Sequence, residues 1–311
     1  GIPQDKEIAS EYYKKAAEKG RIEAMFNYAL MEYQGDGVPV NKEESLKYLK
    51  MAADKGVLRS IIRLCEMYEK NEAPTVDEEE ISKYYKEAAD QGHVASMFKY
   101  ALILYQGLGV PQDKEEAAYY FKEAAEHGDS GAMFNYALIL SHGDGVPKDK
   151  EMAAHFYKMA ADKGRPEAMY NYAHALSKGR GITQNNAEAA NYFKKAADNG
   201  IVEAISRYAS MMYNGDEGLE PNKEESAIYS KLAADQGDVD AMKRYAYMCE
   251  KGEGVPVDMN ESIKYYQKAA DSGDDEVAMK VAMMIYEGDE NVDLASAAPY
   301  FKRAADKGDP E

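Results

Sequence analysis

Two cysteines in 311 residues cannot build a disulfide framework. That sets the chain apart from heavily cross-linked secreted repeat proteins, although it leaves an oxidising compartment open. No apolar run approaches the roughly 18–20 residues of a membrane span, and no signal-peptide pattern stands at Gly-Ile-Pro, where the sequence begins. Cations are in deficit: 38 Lys and Arg against 56 Asp and Glu leave a formal net charge of −18. Such a field repels phosphate backbones and anionic lipids. Nucleic acid is therefore not an expected partner, nor is membrane insertion, whereas a neutral or basic protein surface is.

Catalytic equipment is equally sparse. Gly107-Leu108-Gly109 punctuates a helix end and is not the strand-to-helix glycine loop that cradles phosphate. The acidic turn NGDEGLEPNKEE, residues 214–225, lacks the alternating oxygen ligands and central glycine of a calcium loop. His93, His127, His142, His155 and His174 include no pair at the i, i+4 spacing of a helical zinc site. No serine or cysteine nucleophile has a recurring base. The expectation is a non-enzymatic protein with no catalytic residue, metal or cofactor.

What fills the chain is repetition. Ala-Ala followed by two polar residues and Gly begins at Ala16, Ala52, Ala88, Ala124, Ala160, Ala196, Ala233, Ala269 and Ala304. Successive markers stand 36 residues apart, except 37 at the sixth step and 35 at the eighth. Each repeat reads as two helices. Helix A is typified by residues 23–34, where Ala24, Met25, Tyr28, Ala29 and Met31 recur at helical spacing as a buried stripe. Gly35 ends it, because glycine accepts the left-handed conformation of a C-terminal cap. Helix B is typified by residues 113–128. Asp113 caps its first amides, Glu115 and Glu116 suit its positive end, and Ala117, Tyr120, Phe121, Ala124 and Ala125 face the core. One hairpin cannot bury two apolar stripes, but stacked neighbours can. The fold class expected is therefore all-α, a right-handed superhelical α-solenoid. The divisions expected are a partial repeat of helix B alone at 1–20, then repeats at 22–56, 58–92, 94–128, 130–164, 166–200, 202–237, 239–273 and 275–308.

Ala132, Asn135, Tyr136, Ala137 and Leu138, then Gly143-Asp144-Gly145-Val146, then Ala153, Phe156-Tyr157-Lys158 and Ala160-Ala161 resemble the Sel1-like repeat. That family is a relative of the tetratricopeptide repeat, and the resemblance runs over essentially the whole chain. It implies an adaptor that assembles complexes. Similar proteins include subunits of the endoplasmic-reticulum degradation machinery, activators of chitin synthase, and bacterial signalling or host-interaction proteins. There are departures. The tryptophan usual before the helix B tyrosine is replaced by Tyr or Phe. The repeat holding residues 60–77 has Asn71 and Ala73 where its neighbours have glycines, so a reshaped loop is expected, with Asn71 tolerating the left-handed cap. The sixth repeat carries an extra residue within 215–218. Pro299 should make the last helix B start late or bend.

Two rows of helix A point to a binding surface. One is Phe26, Ile62, Phe98, Phe134, Tyr170, Ser206, Lys243 and Met279; the other is Leu30, Glu66, Leu102, Leu138, His174, Ser210, Tyr247 and Met283. At about 100° per residue both turn away from the buried Met25 stripe. By analogy with tetratricopeptide repeats they line the concave face, where Phe26, Leu30, Phe98, Leu102, Phe134, Leu138 and Tyr170 would anchor a protein or peptide. Inter-repeat packing is the competing reading. The neighbouring row of amides and cations supplies Arg63, Lys99, Arg207 and Arg244 to orient local carboxylates on that partner, while Asn in the row matches the family pattern. Self-association through open repeat ends is the alternative, since GIPQDKE at the start matches GVPQDKE at 109–115, inside a repeat. A piece of a longer protein would read the same way. Cys65 and Cys249, five repeats apart in a stack of helices roughly 8–10 Å from one another, should not bridge.

Overall fold

Local chemistry starts and stops the helices. Before second helices of the hairpins, among the described residues, stands an Asp or Asn whose side chain accepts the amide three residues on, as Glu116 N–H donates to Asp113 Oδ1 at 2.9 Å. Asn41, Asp77, Asn185, Asn222 and Asp258 repeat the arrangement. Among the described residues five first helices end on glycine in the left-handed region, at Gly35, Gly107, Gly143, Gly179 and Gly252; Gly35 has φ 74°, and its N–H reaches the Met31 carbonyl at 2.9 Å.

The structure, a computed structural model, describes residues 5–287 and 294–306. In chain order the helices are α1 (Lys6–Glu18), α2 (Ile22–Gln34), α3 (Lys42–Ala53), α4 (Leu58–Glu69), α5 (Glu78–Asp90), α6 (Val94–Gln106), α7 (Lys114–Glu126), α8 (Ser130–His142) and α9 (Lys150–Asp162). There follow α10 (Pro166–Lys178), α11 (Asn186–Asp198), α12 (Val202–Asn214), α13 (Lys223–Asp235), α14 (Val239–Lys251), α15 (Met259–Asp271), a 3-10 turn (Asp275–Val277), α16 (Ala278–Glu287) and α17 (Leu294–Asp306). Two compact units divide the chain, one ending at Phe156 and the other beginning at Tyr157. No strand occurs among the described residues, and consecutive helices pack as hairpins. This is the all-α solenoid architecture expected of the repeat.

The core is what the stripes predict. Ala29, Ala101, Ala137, Ala173, Ala209, Ala246 and Ala282 are each fully buried, so the paired helices approach closely at every one. Met25, Ile61, Met97, Met133, Met169, Ile205 and Met242 are buried beside them. The aromatic ladder is core as well. In the first unit Tyr28 meets Tyr48 at 4.8 Å, Tyr100 meets Tyr120 at 5.0 Å and Tyr136 meets Phe156 at 5.0 Å. In the second, Tyr172–Tyr192, Tyr208–Tyr229 and Tyr245–Tyr265 lie at 4.8–4.9 Å. All are edge-to-face, a geometry worth about 0.5–1.5 kcal/mol per pair beyond area burial.

Polar contacts join one hairpin to the next. The Tyr120 hydroxyl donates to Asp90 at 2.6 Å, and Tyr84 donates to Asp54 at 3.0 Å. In the second unit Tyr192, Tyr229 and Tyr265 donate to Asp162, Asp198 and Asp235 at 3.0, 2.7 and 2.6 Å. At Phe156 no hydroxyl exists, and Glu126 pairs instead with Lys122 at 3.7 Å. A second link gathers a tyrosine and a lysine of one hairpin on an acid of the next: Tyr33 and Lys42 on Glu72, and Tyr105 and Lys114 on Asp144. The second loop glycine serves this junction. A Cβ on Gly145, which has φ 82°, would stand 2.6 Å from the Lys114 carbonyl carbon.

Departures from the repeat resolve locally. Asn71 takes the left-handed conformation with φ 55°, and Ala73 is buried where neighbouring hairpins place their second loop glycine. The extra residue near Gly215 is absorbed in a tight turn closed by Asp216 N–H to the Leu219 carbonyl at 2.9 Å. Of the two outcomes expected of Pro299, a late start or a bend, the late start is corrected. Helix α17 begins at Leu294, 35 residues after the start of α15 at Met259, and carries the proline inside. Six residues into the helix, proline forfeits one backbone hydrogen bond within an element that packs on α16. Cys65 and Cys249 are both buried and free.

Candidate functional site

The reshaped loop after α4 opens a groove in the first unit. Asn71, Ala73, Pro74 and Val76 form one wall, Ile81 and Tyr85 of α5 the floor, and Lys99, Leu102 and Ile103 of α6 with Leu108 the other side. The space is about 600 Å³, within the roughly 300–1,000 Å³ range of ligand sites. Its polar group is one connected cluster. Lys99 Nζ lies 3.0 Å from Glu69 Oε1, and the Tyr85 hydroxyl donates to the same oxygen at 2.8 Å. Burial pushes the Glu69 carboxyl up, but the hydrogen bonds from Lys99 and Tyr85 outweigh it and hold it below the usual carboxylate range. Burial likewise pushes the adjacent Cys65 thiol up to about 12, so it is no nucleophile.

An equivalent space recurs in the second unit. Arg207 stands 108 residues, three steps of 36, after Lys99, and Phe193 stands 108 after Tyr85. His174, Ser177, Lys178, Asn186, Phe193, Arg207 and Ser210 line a cavity of about 220 Å³ there. Tyr170 packs beside it, 5.7 Å from Phe193 and 6.4 Å from His174. Burial, and then the charges of Arg180, Arg207 and Lys178, hold the His174 imidazole below its ordinary pKa.

The structure thus brings Lys99 and Leu102 into one groove and sets Arg207 in another, with Tyr170 adjoining. The remaining candidates lie outside both. Phe26, Leu30, Phe134 and Leu138 are half-buried on α2 and α8. Phe98, also half-buried, lies 5.9 Å from Phe121 of the same hairpin, and its ring edge stands 3.1 Å from where a Cβ on Gly131 of α8 would be. Arg63 stacks 4.0 Å from the Tyr33 ring centroid and pairs with Glu66 at 2.7 Å. Arg244 is half-buried, and burial holds its guanidinium below its ordinary pKa. Asn135 donates to the Gly131 carbonyl at 2.8 Å, a contact within its own helix. Sequence reasoning missed Glu69 and the groove-lining Ile81 and Leu108. The signal available was the missing glycine pair at 71 and 73, which marked the loop that differs.

Among the described residues no group of three or more His, Cys, Asp or Glu is placed to hold a metal ion, and no helix is long and apolar enough to cross a membrane. His127 and His142 each donate from Nδ1 to a backbone carbonyl in their own helix, at 2.8 Å.

Tandem helical hairpins with glycine-capped first helices and open side grooves define a solenoid scaffold of the tetratricopeptide-related class. The Sel1 repeat family model matches residues 1–20, 22–57, 83–93, 94–129, 130–164, 166–201, 202–238, 239–274 and 276–309, and the chain belongs to that family. Residues 58–82, which hold the reshaped loop, fall outside the matched segments. Two solved structures are similar. A protective antigen present in uropathogenic Escherichia coli strains, displaying an SLR fold, is 24% identical with a TM-score of 0.67, over 99% of this chain and 74% of that one. A Sel1 repeat protein from Oxalobacter formigenes is 27% identical with a TM-score of 0.63, over 90% of this chain and 80% of that one. No curated protein matches the chain. Sel1 repeat proteins are generally protein-interaction scaffolds.

Proposed function

We propose that the chain is a non-enzymatic adaptor that holds an amphipathic segment of a partner protein against the first helices of its hairpins. The observation that carries this is the groove between α4, α5 and α6, an apolar trough with one ion pair at its edge. Leu102, Ile103 and Ile81 offer apolar contact there, and the Lys99–Glu69 pair offers one cation and one acid to fix orientation. Phe26, Leu30, Phe98, Phe134 and Leu138 extend the apolar surface on neighbouring helices of that unit, and Arg63 adds a cation. Tyr170, Arg207 and Arg244 form the contact set of the second unit. The net charge of −18 favours a partner whose overall charge is neutral or basic.

The test is selection of peptides from a displayed random library, followed by affinity measurement on variants. Leu102→Asp should weaken a selected peptide about thirtyfold or more, as loss of an interface hot spot costs about 2 kcal/mol, with helicity and melting unchanged. A peptide that binds Leu102→Asp as tightly as the unaltered protein removes the groove from the account. A second reading, self-association, draws on α1, where Ile8, Tyr12 and Tyr13 are 52%, 67% and 38% exposed. A mass that rises with concentration, and falls back in Tyr12→Glu, would favour it.

A further inference from the structure

The helix A cations are neutralised inside the protein at most of their positions. Arg63 pairs with Glu66 at 2.7 Å, Lys99 with Glu69 at 3.0 Å, and Lys280 with Glu250 at 2.6 Å. Arg244, half-buried with one unpartnered guanidinium nitrogen, departs from the pattern, and so does Arg207, which lines a cavity. Among the described residues the Arg207 side chain has no acidic or hydrogen-bonding partner, and it is exposed. The reason is legible by subtraction. Ser177 stands 108 residues after Glu69, as Arg207 does after Lys99, and Ser210 stands 144 after Glu66, as Arg207 does after Arg63, so both acids that serve the row elsewhere are replaced here. Lys178 and Arg180, on and just beyond the end of α10, are likewise exposed and, among the described residues, in no ion pair with a carboxylate. Among the described residues exposed Asp216 is the one carboxylate lining the cavity, where Lys178 and Arg207 supply two cations. Ser177, Ser210 and Asn214 supply neutral donors around the same space.

We infer that the cavity at Arg207 takes a single anionic oxygen group, a carboxylate or a phosphate, carried on a segment of a partner protein. A guanidinium with an unpaired fork matches either group geometrically. The cavity of about 220 Å³ admits one such group and not an extended polyanion. The field of the whole chain also repels a polyanion, so this pocket is a local reversal of sign. The depressed basicity of His174 agrees with cations crowding the site. The inference rests on the scaffold reading only for the carrier of the anion; the small-ion measurements below do not need it.

The test follows from the repeat. Ser177→Glu restores at the second cavity the acid that Glu69 supplies at the first, and should occupy Arg207. Glu69→Ser removes that acid from Lys99 and should create an anion site where none was. Inorganic phosphate and acetate are titrated into the full chain, reading His174 ring resonances and calorimetric heat. Short peptides with a free C-terminus, an amidated C-terminus and a phosphoserine follow. Saturable binding weakened about tenfold or more by Arg207→Gln and by Ser177→Glu, with unchanged helicity, supports the inference. Preference for the free C-terminus identifies a carboxylate source, and preference for phosphoserine a phosphate source; either supports the shared chemistry. Binding that survives both substitutions, or no saturable response to phosphate, acetate or either peptide, overturns it. If small ions bind and no peptide does, the protein-segment half is overturned and the anion site stands.

Discussion

Removing one hydroxyl tests how the hairpins are joined. Tyr120→Phe keeps the ring packed on Tyr100 and deletes two contacts, the donation to Asp90 at 2.6 Å and acceptance from Lys86 at 3.0 Å. A hydrogen bond to a charged group contributes about 1.5–3 kcal/mol. The Asp90 side chain is 53% exposed and can be rehydrated, which moves the expected loss to the low end, about 1–1.5 kcal/mol. Repeat arrays unfold through nearest-neighbour steps, so the assay is native-state hydrogen exchange at amides of α5 and α7. Protection there should fall about five- to tenfold, with distant hairpins unaffected. A double-mutant cycle with Asp90→Asn should give a coupling of about 1 kcal/mol. The reverse change is available at Phe156, where Phe156→Tyr with Glu126→Asp should raise the protection of α7 and α9. Protection unchanged in Tyr120→Phe, or coupling near zero, would refute the hydroxyls as the links between hairpins.

Three further outcomes follow from the same contacts. Gly145→Ala meets both a positive φ and the Lys114 backbone at 2.6 Å; it should cost roughly 1–3 kcal/mol, read as a lower urea midpoint, whereas Gly164→Ala, with nothing within 4 Å of its Cβ, should lose less. Burial pushes the Tyr120 and Tyr172 hydroxyls up to about 12 from 10.0. A raised folded-state pKa contributes stability that is whole below pH 10 and is lost as pH rises through about 12; on the acid side the Glu72 and Asp144 carboxyls are held low by hydrogen bonds from Lys42 and Tyr33 and from Lys114 and Tyr105, so stability should fall as pH drops below the ordinary carboxylate range. Melting across pH checks both limbs, and an alkaline limb that begins well below pH 10 would count against tyrosine burial. Cys65, with its thiol pushed up to about 12, should resist iodoacetamide at pH 8 until urea opens α4; rapid alkylation of the native chain would contradict its burial.

The fold was legible because its determinants are local and repeated. The Met25 and Ala29 rows, the Asp113 cap and the Gly35 cap each depend on residues a few positions apart, and all fall where periodicity places them. The reshaped loop at Asn71 was readable for the same reason. Contacts that depend on how one hairpin meets the next were not. Tyr120 and Asp90 are 30 residues apart, and their hydrogen bond requires the offset between stacked helices, which no helical wheel supplies. Phe98 shows the limit in the site: its row turns away from the Met25 stripe, yet the ring is half-buried between Phe121 and α8. Pro299 reads as a late start or a bend, yet α17 begins at Leu294, carries the proline inside and packs on α16.

The central claim is that the first helices present the binding surface, with the α4–α6 groove as its main contact in the first unit. The most direct measurement is a hydrogen-exchange footprint of the full chain with and without a library-selected peptide at saturation. The account predicts slowed exchange in the loop at 70–77 and in α6, centred on the backbone around Lys99 and Leu102, and loss of that footprint in Leu102→Asp. Protection confined to α1 or to the outer faces of the second helices, with the groove unchanged, would contradict it.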